Sequence, residues 1–245
     1  MILQPWDRLP EALRTEEVRK YYDILQKKRV SLFFKRLFDI VVSFVMLVLL
    51  SPIFLVLAVL IKLDSKGPVF YRQVRVTQYG RHFRIFKFRT MVQNADKIGS
   101  AVTVNHDPRV TRVGRFIRKC RLDEICQLID VLRGTMTFVG TRPEVPRYVD
   151  AYTPEMMATL LLPAGVTSEA SIFYKDESRL LDAAKDADDC YVREVLPAKM
   201  QYNLRAIERF SFFSDIGIML KTVLAVLGVD FSQEKTKNNI SEGER

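Results

Sequence analysis

The feature that most constrains this chain is one apolar segment from Ile40 to Ile61 that contains no charged residue. A helix rises about 1.5 Å per residue, so a helix of this length just crosses a hydrocarbon core of roughly 30 Å. Ser51-Pro52 lies at the midpoint of the segment. Because a proline inside a helix removes a hydrogen bond and clashes with the preceding turn, we expect the helix axis to bend there.

Both flanks of this segment are basic. The cations before it are Lys27, Lys28, Arg29, Lys35 and Arg36, and those after it are Lys62, Lys66, Arg72 and Arg75. Cytoplasmic ends of membrane segments accumulate lysine and arginine, so two basic flanks suit two ends on the same side. From the residues alone, two interpretations stay open: a re-entrant hairpin that turns back at the proline, and a kinked helix that spans the membrane.

The composition narrows the class of partner. The chain has 38 Lys+Arg against 29 Asp+Glu, a net charge of +9, which favours anionic partners such as lipid head groups, nucleotides or nucleic acid. Its three cysteines lack the spacing of a zinc site and the density of a disulfide scaffold, so we predict reduced thiols in the cytosol.

Several stretches predict secondary structure around the membrane segment. Arg14 to Phe34 is typical of a basic amphipathic helix at an anionic interface. Val69 to Val76 and His82 to Phe88, separated by Gln78-Tyr79-Gly80, predict a β-hairpin. Near the C-terminus, the apolar stretch Ile216 to Leu227 is too short to span a membrane, and either packs on the core or lies in the interface.

Two cations at the end of the second predicted strand are candidates for binding phosphate. Strand alternation puts Lys87 and Arg89 on the same face. Two cations at this spacing can hold a phosphate; the alternative is an ordinary solvated strand face.

A pair of adjacent carboxylates, Asp123 and Glu124, follows a basic run in which an arginine recurs at every third residue from Arg109 to Arg121. The apolar spacing downstream of the pair and Gly134 at a capping position predict a helix that begins at this pair. Asp123 then has two interpretations. It is either a helix N-cap, or a carboxylate that is kept ionised by the helix dipole and the arginines, and that attacks phosphorus or binds Mg²⁺.

Six motifs, taken in order, resemble those of the bacterial sugar transferases. They are Lys35-Arg36-Leu37-Phe38-Asp39, Ser51-Pro52, Lys87-Phe88-Arg89-Thr90-Met91, Asp107-Pro108-Arg109, Leu122-Asp123-Glu124 and Gly140-Thr141-Arg142-Pro143. More narrowly, they are similar to the monotopic polyprenyl-phosphate phosphoglycosyl transferases, which begin glycan assembly on a lipid carrier. The resemblance runs from about Tyr21 to Gly228, and one departure is Thr141, where the family usually has proline.

The resemblance implies an α+β fold at the bacterial inner (cytoplasmic) membrane. Residues 35–66 are expected to form a re-entrant helix hairpin broken at Ser51 and Pro52. Residues 67–228 form a mainly helical catalytic domain on the cytosolic face, with a small β-hairpin and interfacial amphipathic helices. An N-terminal amphipathic segment, residues 1–34, precedes the hairpin, and a disordered polar tail, residues 229–245, ends the chain.

The same resemblance implies an enzyme that transfers a sugar 1-phosphate from a UDP-sugar to undecaprenyl phosphate and releases UMP. It further implies Mg²⁺ as cofactor and a covalent phosphosugar intermediate on Asp123, with Glu124 assisting metal binding or proton handling. The implied partners are the UDP-sugar, the polyprenyl phosphate and membrane lipids, without nucleic acid and with a homo-oligomer left open. The cations that match the family's phosphate site are Lys87, Arg89, Arg118 and Arg142.

A second hypothesis comes from a different functional class. The basic run can belong to a membrane-tethered module that binds phosphate or nucleic acid without catalysis, and such a module would survive Asp123→Asn unchanged. The sequence weighs against it, because a pure phosphate-binding surface gains nothing from two carboxylates at its centre.

Overall fold

The structure is a computed structural model that describes residues 3–95, 107–174, 186–229 and 231. In these ranges the architecture is mixed and mostly helical, with two small sheets. The helices are α1 (Glu16–Lys27), α2 (Arg29–Asp64), α3 (Arg112–Lys119), α4 (Leu128–Arg133), α5 (Pro146–Val149), α6 (Glu169–Phe173), α7 (Ala187–Cys190), α8 (Leu196–Glu208) and α9 (Phe212–Val226). The strands are β1 (Phe70–Val76), β2 (His82–Phe88), β3 (Met136–Val139) and β4 (Ala164–Thr167). The predicted tail from residue 232 onward lies outside the described residues.

The longest element is α2, which contains the predicted membrane segment as a single helix of 36 residues with Pro52 inside it. Its most apolar window has a mean hydropathy of 3.1, and 11% of that window is buried within the protein. A helix of this length and composition can cross a membrane, and its exposure distinguishes it from the buried core helix of a soluble protein.

The two ends of α2 pack on the rest of the protein and its middle does not. In the N-terminal half, Leu32, Lys35, Asp39 and Ser43 are buried along one helical face. In the C-terminal half, Leu57 and Ile61 are buried. None of residues 44–53, which include Ser51 and Pro52, is buried. The protein therefore holds α2 at two places and leaves its centre uncovered.

The Lys-Arg-Leu-Phe-Asp motif docks the first half of α2 onto β3 and α4. The Lys35 ammonium donates to the Val139 carbonyl at 2.8 Å, and Asp39 accepts from the Thr137 hydroxyl at 2.7 Å and from a main-chain N–H of β3. Arg36 donates to the carbonyls of Val131 and Leu132 at 2.7 and 2.8 Å. Three side chains of the motif thus form hydrogen bonds with main-chain groups of neighbouring elements.

The predicted N-terminal amphipathic helix needs two corrections. It ends at Lys27 rather than at Phe34, because Lys28 leaves the helical region and α2 starts at Arg29. Its apolar face is also not free for an interface. Val18, Tyr22 and Leu25 are at most 1% exposed and belong to a core cluster with Leu161. The apolar stripe is therefore not available for insertion into an interface, because the protein itself buries it.

The predicted β-hairpin is confirmed. β1 and β2 pair antiparallel, with Phe70 opposite Phe88 and Val76 opposite His82. The connecting turn places Tyr79 and Gly80 at positive φ. The inner face of β2 presents Phe88, which packs with Leu57 and Ile61 of α2, so the hairpin connects the second half of the membrane helix to the domain.

The sequence analysis did not predict a second sheet, in which β3 and β4 pair in parallel with Met136 opposite Ala164 and Val139 opposite Thr167. Each strand has four residues, too few for an alternation signal. The strands approach so closely that a Cβ atom on Gly165 would lie 2.2 Å from the Gly140 main chain. Glycine at 165 is therefore a packing requirement.

The predicted helix at the carboxylate pair has a different form. Leu122–Gln127 is a 3₁₀ helix whose cap position is Arg121 in the left-handed conformation, and the α-helix α4 begins only at Leu128. The N-cap interpretation of Asp123 is therefore wrong. The predicted C-terminal cap is confirmed, since Gly134 has φ 83°.

We expect Gly165→Ala to destabilise the protein by about 1–3 kcal/mol, because the new Cβ overpacks the β3–β4 contact. The matched control is Gly217→Ala in α9, where the added methyl group meets no atom within 4 Å. Since alanine is favoured over glycine inside a helix, that change should be neutral or slightly stabilising. The thermal midpoints of both variants in detergent check this expectation, and equal midpoints would contradict the assigned packing.

Candidate active site

The centre of the candidate site is Glu124, which lies between two cations from distant parts of the chain. Lys87 of β2 donates to Glu124 Oε1 at 3.0 Å. Arg142, on the loop after β3, donates to the same oxygen and lies 3.4 Å from Oε2 through its Nη1 atom. Burial raises the pKa of Glu124, but Arg142 and Lys87 outweigh that effect and hold the pKa well below its usual range. Glu124 is therefore ionised at neutral pH.

The neighbouring carboxyl group, Asp123, lies in a different electrostatic environment. Burial and then the negative charge of Glu124 raise its pKa, while Lys87 and Arg118 partly oppose them. Within the described ranges, no side chain donates a hydrogen bond to the Asp123 carboxylate. Two adjacent carboxyl groups thus have pKa values displaced in opposite directions, a pattern typical of reactive sites.

Arg118 reaches the site from the last turn of α3, where its charge acts on Asp123. The position of α3 depends on Gly114, because a Cβ there would lie 2.0 Å from the Thr90 carbonyl oxygen. The start of α3 is held by its Thr111 cap and by Asp64 at the end of α2, which accepts from the Val113 N–H at 2.9 Å. The C-terminal end of the membrane helix therefore supports the helix that carries Arg118.

Arg89 is the one predicted phosphate-binding cation that the structure places elsewhere. Its guanidinium donates to the carbonyls of Lys66 and Ser65 at 2.9 and 2.7 Å, and it thereby caps the C-terminal end of α2. Strand β2 ends at Phe88, one residue before Arg89. The strand alternation that would place Arg89 on the same face as Lys87 therefore does not extend to Arg89. The expected pairing of Lys87 and Arg89 on one site face is thus corrected, and phosphate binding by Arg89 stays a prediction.

An apolar floor supports the main chain of the carboxylate pair. Cys126 is fully buried in a cluster with Phe88 and Ile117. Its thiol donates to the Asp123 carbonyl at 3.4 Å, and burial raises the pKa of this thiol. Cys126 is therefore a neutral packing residue that holds the 3₁₀ turn in place.

A buried polar network behind the Arg142 loop was missed by the sequence analysis. Arg75 donates to the Pro143 carbonyl at 3.2 Å. The Glu144 carboxylate accepts from the Tyr191 hydroxyl at 2.6 Å, and the Lys199 ammonium lies 3.8 Å from it. These residues come from four separate elements, so no local pattern signalled them. They hold the chain directly after Arg142, at Pro143 and Glu144, and so help to fix the loop that carries its guanidinium.

The donor set suits a magnesium ion that substrate helps to bind. In the part of the chain that the structure describes, no three His, Cys, Asp or Glu side chains are grouped closely enough to hold a metal ion. The adjacent Asp123 and Glu124 offer two carboxylates. Mg²⁺ is commonly bound through one or two protein carboxylates together with substrate phosphates and water, so this pair fits Mg²⁺ better than a metal that requires a closed protein cage.

The exposed apolar helix is consistent with a membrane-associated protein, and the carboxylate–cation cluster is suited to phosphate chemistry. The chain belongs to the bacterial sugar transferase family, since the family model "Bacterial sugar transferase" matches residues 30–229.

Three curated relatives show what this chain is similar to. The "UDP-N-acetylgalactosamine-undecaprenyl-phosphate N-acetylgalactosaminephosphotransferase" of Aeromonas hydrophila is 38% identical over 80% of this chain and 44% of its own length. A "UDP-glucose:undecaprenyl-phosphate glucose-1-phosphate transferase" of Klebsiella pneumoniae is 36% identical over 79% of this chain and 40% of its own length. The chain spans less than half the length of these two. The same-named protein of Caulobacter vibrioides is 35% identical over 80% of this chain and 70% of its own length.

Proposed function

We propose that this protein transfers a sugar 1-phosphate from a UDP-sugar to undecaprenyl phosphate and releases UMP. The observation that carries the proposal is the carboxyl pair itself. Glu124 is ion-paired with Lys87 and Arg142, whereas Asp123 has no side-chain donor among the described residues and lies within the influence of the charges of Lys87 and Arg118. Glu124 thus binds the two cations, and the carboxylate of the neighbouring Asp123 is available for reaction.

In the proposed first step, an Asp123 carboxylate oxygen attacks the phosphorus that carries the sugar. The phosphoanhydride bond of the donor breaks, UMP leaves with the electron pair, and an acyl phosphate forms that links Asp123 to the sugar phosphate. In the second step, a phosphate oxygen of undecaprenyl phosphate attacks the same phosphorus and displaces the aspartate. The acceptor then carries the sugar 1-phosphate through a new phosphoanhydride bond, and the Asp123 carboxylate is regenerated.

The cations account for how an anionic nucleophile can approach an anionic donor. A carboxylate and a diphosphate repel each other, so positive charge must lie close to the attacked phosphorus. Lys87, Arg118 and Arg142 supply that charge from three different elements. A bound Mg²⁺, held by Asp123 and Glu124, would neutralise further charge on the diphosphate. Lys87 and Arg142 then keep Glu124 ionised and correctly oriented for the metal ion.

The sugar stays open within this proposal. The names of the relatives include N-acetylgalactosamine, glucose and, for a Salmonella typhimurium protein that is 32% identical, galactose. We therefore propose a UDP-hexose or a UDP-N-acetylhexosamine as donor, leading to the first polyprenyl-diphosphate-linked sugar of a bacterial surface glycan.

We also propose that α2 is re-entrant and that the catalytic domain lies on the cytosolic face of the inner membrane. Its two halves both pack on one domain, through Lys35 and Asp39 at one end and through Leu57 and Ile61 at the other. Its uncovered middle contains Ser51 and Pro52, where the Ser51 hydroxyl donates to the Val48 carbonyl at 2.7 Å. Such an anchor keeps the site near the head-group plane, where the acceptor presents its phosphate.

The reaction is tested by UMP release from detergent-solubilised protein with Mg²⁺, undecaprenyl phosphate and a panel of UDP-sugars. Asp123→Asn should lower the rate by roughly a thousandfold or more, because the nucleophile is lost. Asp188→Asn, the same chemical change in an exposed ion pair, should retain activity. With acceptor withheld, the wild-type peptide that contains Asp123 should gain the mass of one phosphosugar. Full activity of Asp123→Asn would contradict the assignment, and phosphate binding without turnover would favour the non-catalytic module.

The pH dependence separates the two carboxyl groups. The UMP burst without acceptor needs ionised Asp123, so its rate should fall as the pH drops through a pKa above the ordinary value of 3.8. Glu124→Gln removes a negative charge that raises this pKa, so the acid limb should move to lower pH while the rate itself decreases. Glu208→Gln, in an exposed ion pair, is the control and should leave the limb in place. An unmoved limb in Glu124→Gln would mean that Asp123 is not the titrating group.

The topology is tested with single cysteines at Lys27→Cys and Lys66→Cys, each in a chain whose own three cysteines are replaced. A membrane-impermeant maleimide should label neither position in spheroplasts and both positions in inverted vesicles, because a re-entrant helix keeps both flanks on the cytosolic side. Labelling of one flank from each side would establish a spanning helix instead.

A further inference from the structure

One face of the β1–β2 hairpin borders the candidate site and carries a tyrosine that the proposed mechanism does not use. Strand alternation puts Tyr71, Gln73 and Arg75 on this face of β1. The Arg75 guanidinium donates to the Gln73 amide oxygen at 2.7 Å and to the Pro143 carbonyl at 3.2 Å. Because Pro143 directly follows Arg142, the face that carries Tyr71 is turned toward the loop of the site.

Tyr71 is also the cross-strand neighbour of Lys87. The antiparallel register pairs these two residues, and directly opposite side chains in such a pair share a face, with Cβ atoms about 4.5–5.5 Å apart. The Lys87 ammonium in turn lies 3.0 Å from Glu124 Oε1. The Tyr71 side chain is 38% exposed. It therefore presents accessible ring surface beside a cation of the carboxylate pair.

The opposite face of the hairpin packs against the membrane helix at the same end. Phe70 is paired with Phe88, and the centroids of their stacked rings are 5.4 Å apart. The Phe88 ring lies 5.3 Å from that of Phe54, which is two residues after Pro52 in the apolar segment of α2. Tyr71 directly follows Phe70, so it lies at the end of the hairpin nearest to this apolar segment.

Tyr71 is thus placed between a phosphate-binding cation and the apolar part of the membrane helix. A tyrosine suits such a position, because its ring is apolar and its hydroxyl is polar. A UDP-sugar is water-soluble, and nothing draws its base toward the apolar end of the hairpin. The chain of a polyprenyl phosphate, in contrast, has to enter the hydrocarbon region. If the acceptor phosphate lies at Lys87, this chain runs past Tyr71.

We propose that Tyr71 contacts the first isoprene units of the acceptor and thereby positions the acceptor phosphate beside Lys87. The phosphate matches the ammonium by charge, and the apolar chain matches the exposed ring by burial of apolar surface. The inference rests on the proposed transfer reaction for the identity of the acceptor, and it adds a residue that recognises the acceptor's chain. Tyr71 touches substrate in this role and takes no part in bond making.

The kinetic test uses the full chain in neutral detergent with Mg²⁺, undecaprenyl phosphate and a UDP-sugar that supports UMP release. Tyr71→Ala should raise the KM for undecaprenyl phosphate about fivefold or more, because the contact between the ring and the isoprene units is lost. The KM for the UDP-sugar, and the UMP burst without acceptor, should stay within about twofold of wild type. An unchanged KM for undecaprenyl phosphate would overturn the proposal, and so would a change in the burst, since the ring would then serve the donor.

Two further variants separate a contact with the acceptor from a structural effect. Tyr71→Phe keeps the ring, so its KM for undecaprenyl phosphate should stay near that of wild type. Val74→Ala is the matched control, because Val74 lies on the other face of the same strand and is 37% exposed. It should leave both KM values unchanged. A loss in Tyr71→Phe or in Val74→Ala as large as that in Tyr71→Ala would overturn the ring contact.

A binding measurement that needs no turnover distinguishes failure of this inference from failure of the proposed reaction. Farnesyl phosphate and inorganic phosphate are titrated calorimetrically into the full chain without donor. The wild type should bind farnesyl phosphate about tenfold or more tightly than inorganic phosphate, since apolar surface is buried in addition. Tyr71→Ala should lose most of this preference, and Val74→Ala should keep it.

Equal binding of the two probes by wild type, or an undiminished preference in Tyr71→Ala, would overturn the inference even if UMP is released. A preference that depends on Tyr71, without UMP release from any UDP-sugar, would contradict the transfer reaction and support the ring contact. If Tyr71→Ala fails to fold, Tyr71→Thr takes its place, because threonine favours strands and also removes the ring.

Discussion

The structure depends on one buried polar junction between the membrane helix and β3. Lys35 and Asp39 are almost fully buried, and they bind the Val139 carbonyl, the Thr137 hydroxyl and Asp215. Lys35 and Asp215 form a buried ion pair. Removing one partner of a buried ion pair commonly costs about 3–5 kcal/mol of stability, because the other charge stays buried without compensation. Val139 leads directly into the loop that carries Arg142. The junction therefore fixes the membrane anchor, the second sheet and one cation of the site relative to each other.

The site itself follows from an unequal distribution of charge over two adjacent carboxyl groups. Glu124 receives both Lys87 and Arg142, and this pairing outweighs the cost of its burial. Burial and the negative charge of Glu124 raise the pKa of Asp123, and no side chain in the described ranges donates a hydrogen bond to its carboxylate. A single turn thus presents one carboxylate that organises cations and one that can react. Cys126 beneath the turn, and Arg75 and Glu144 behind the Arg142 loop, keep this geometry in place.

Local sequence signals predicted the elements that local physics controls. Strand alternation around a turn identified the β1–β2 hairpin, and Gly134 located the end of α4. The same signals failed where a contact from elsewhere decides the outcome. Arg89 caps α2 instead of joining Lys87, and α1 buries its apolar face in the core instead of leaving it free for an interface. The four-residue strands β3 and β4 exist only because they pair with each other across more than twenty intervening residues.

The sequence by itself determined that this chain carries one long apolar segment interrupted by Ser51-Pro52, an excess of basic residues, and the adjacent carboxyl groups of Asp123 and Glu124. These properties follow from residue type and spacing, because helix and strand periods and proline chemistry are local. Only the tertiary structure decided that Lys87 and Arg142 meet at Glu124, that Arg89 does not join them, and that both halves of α2 pack on one domain. Each of these depends on side chains brought together from distant positions, and such contacts form only once the chain has folded.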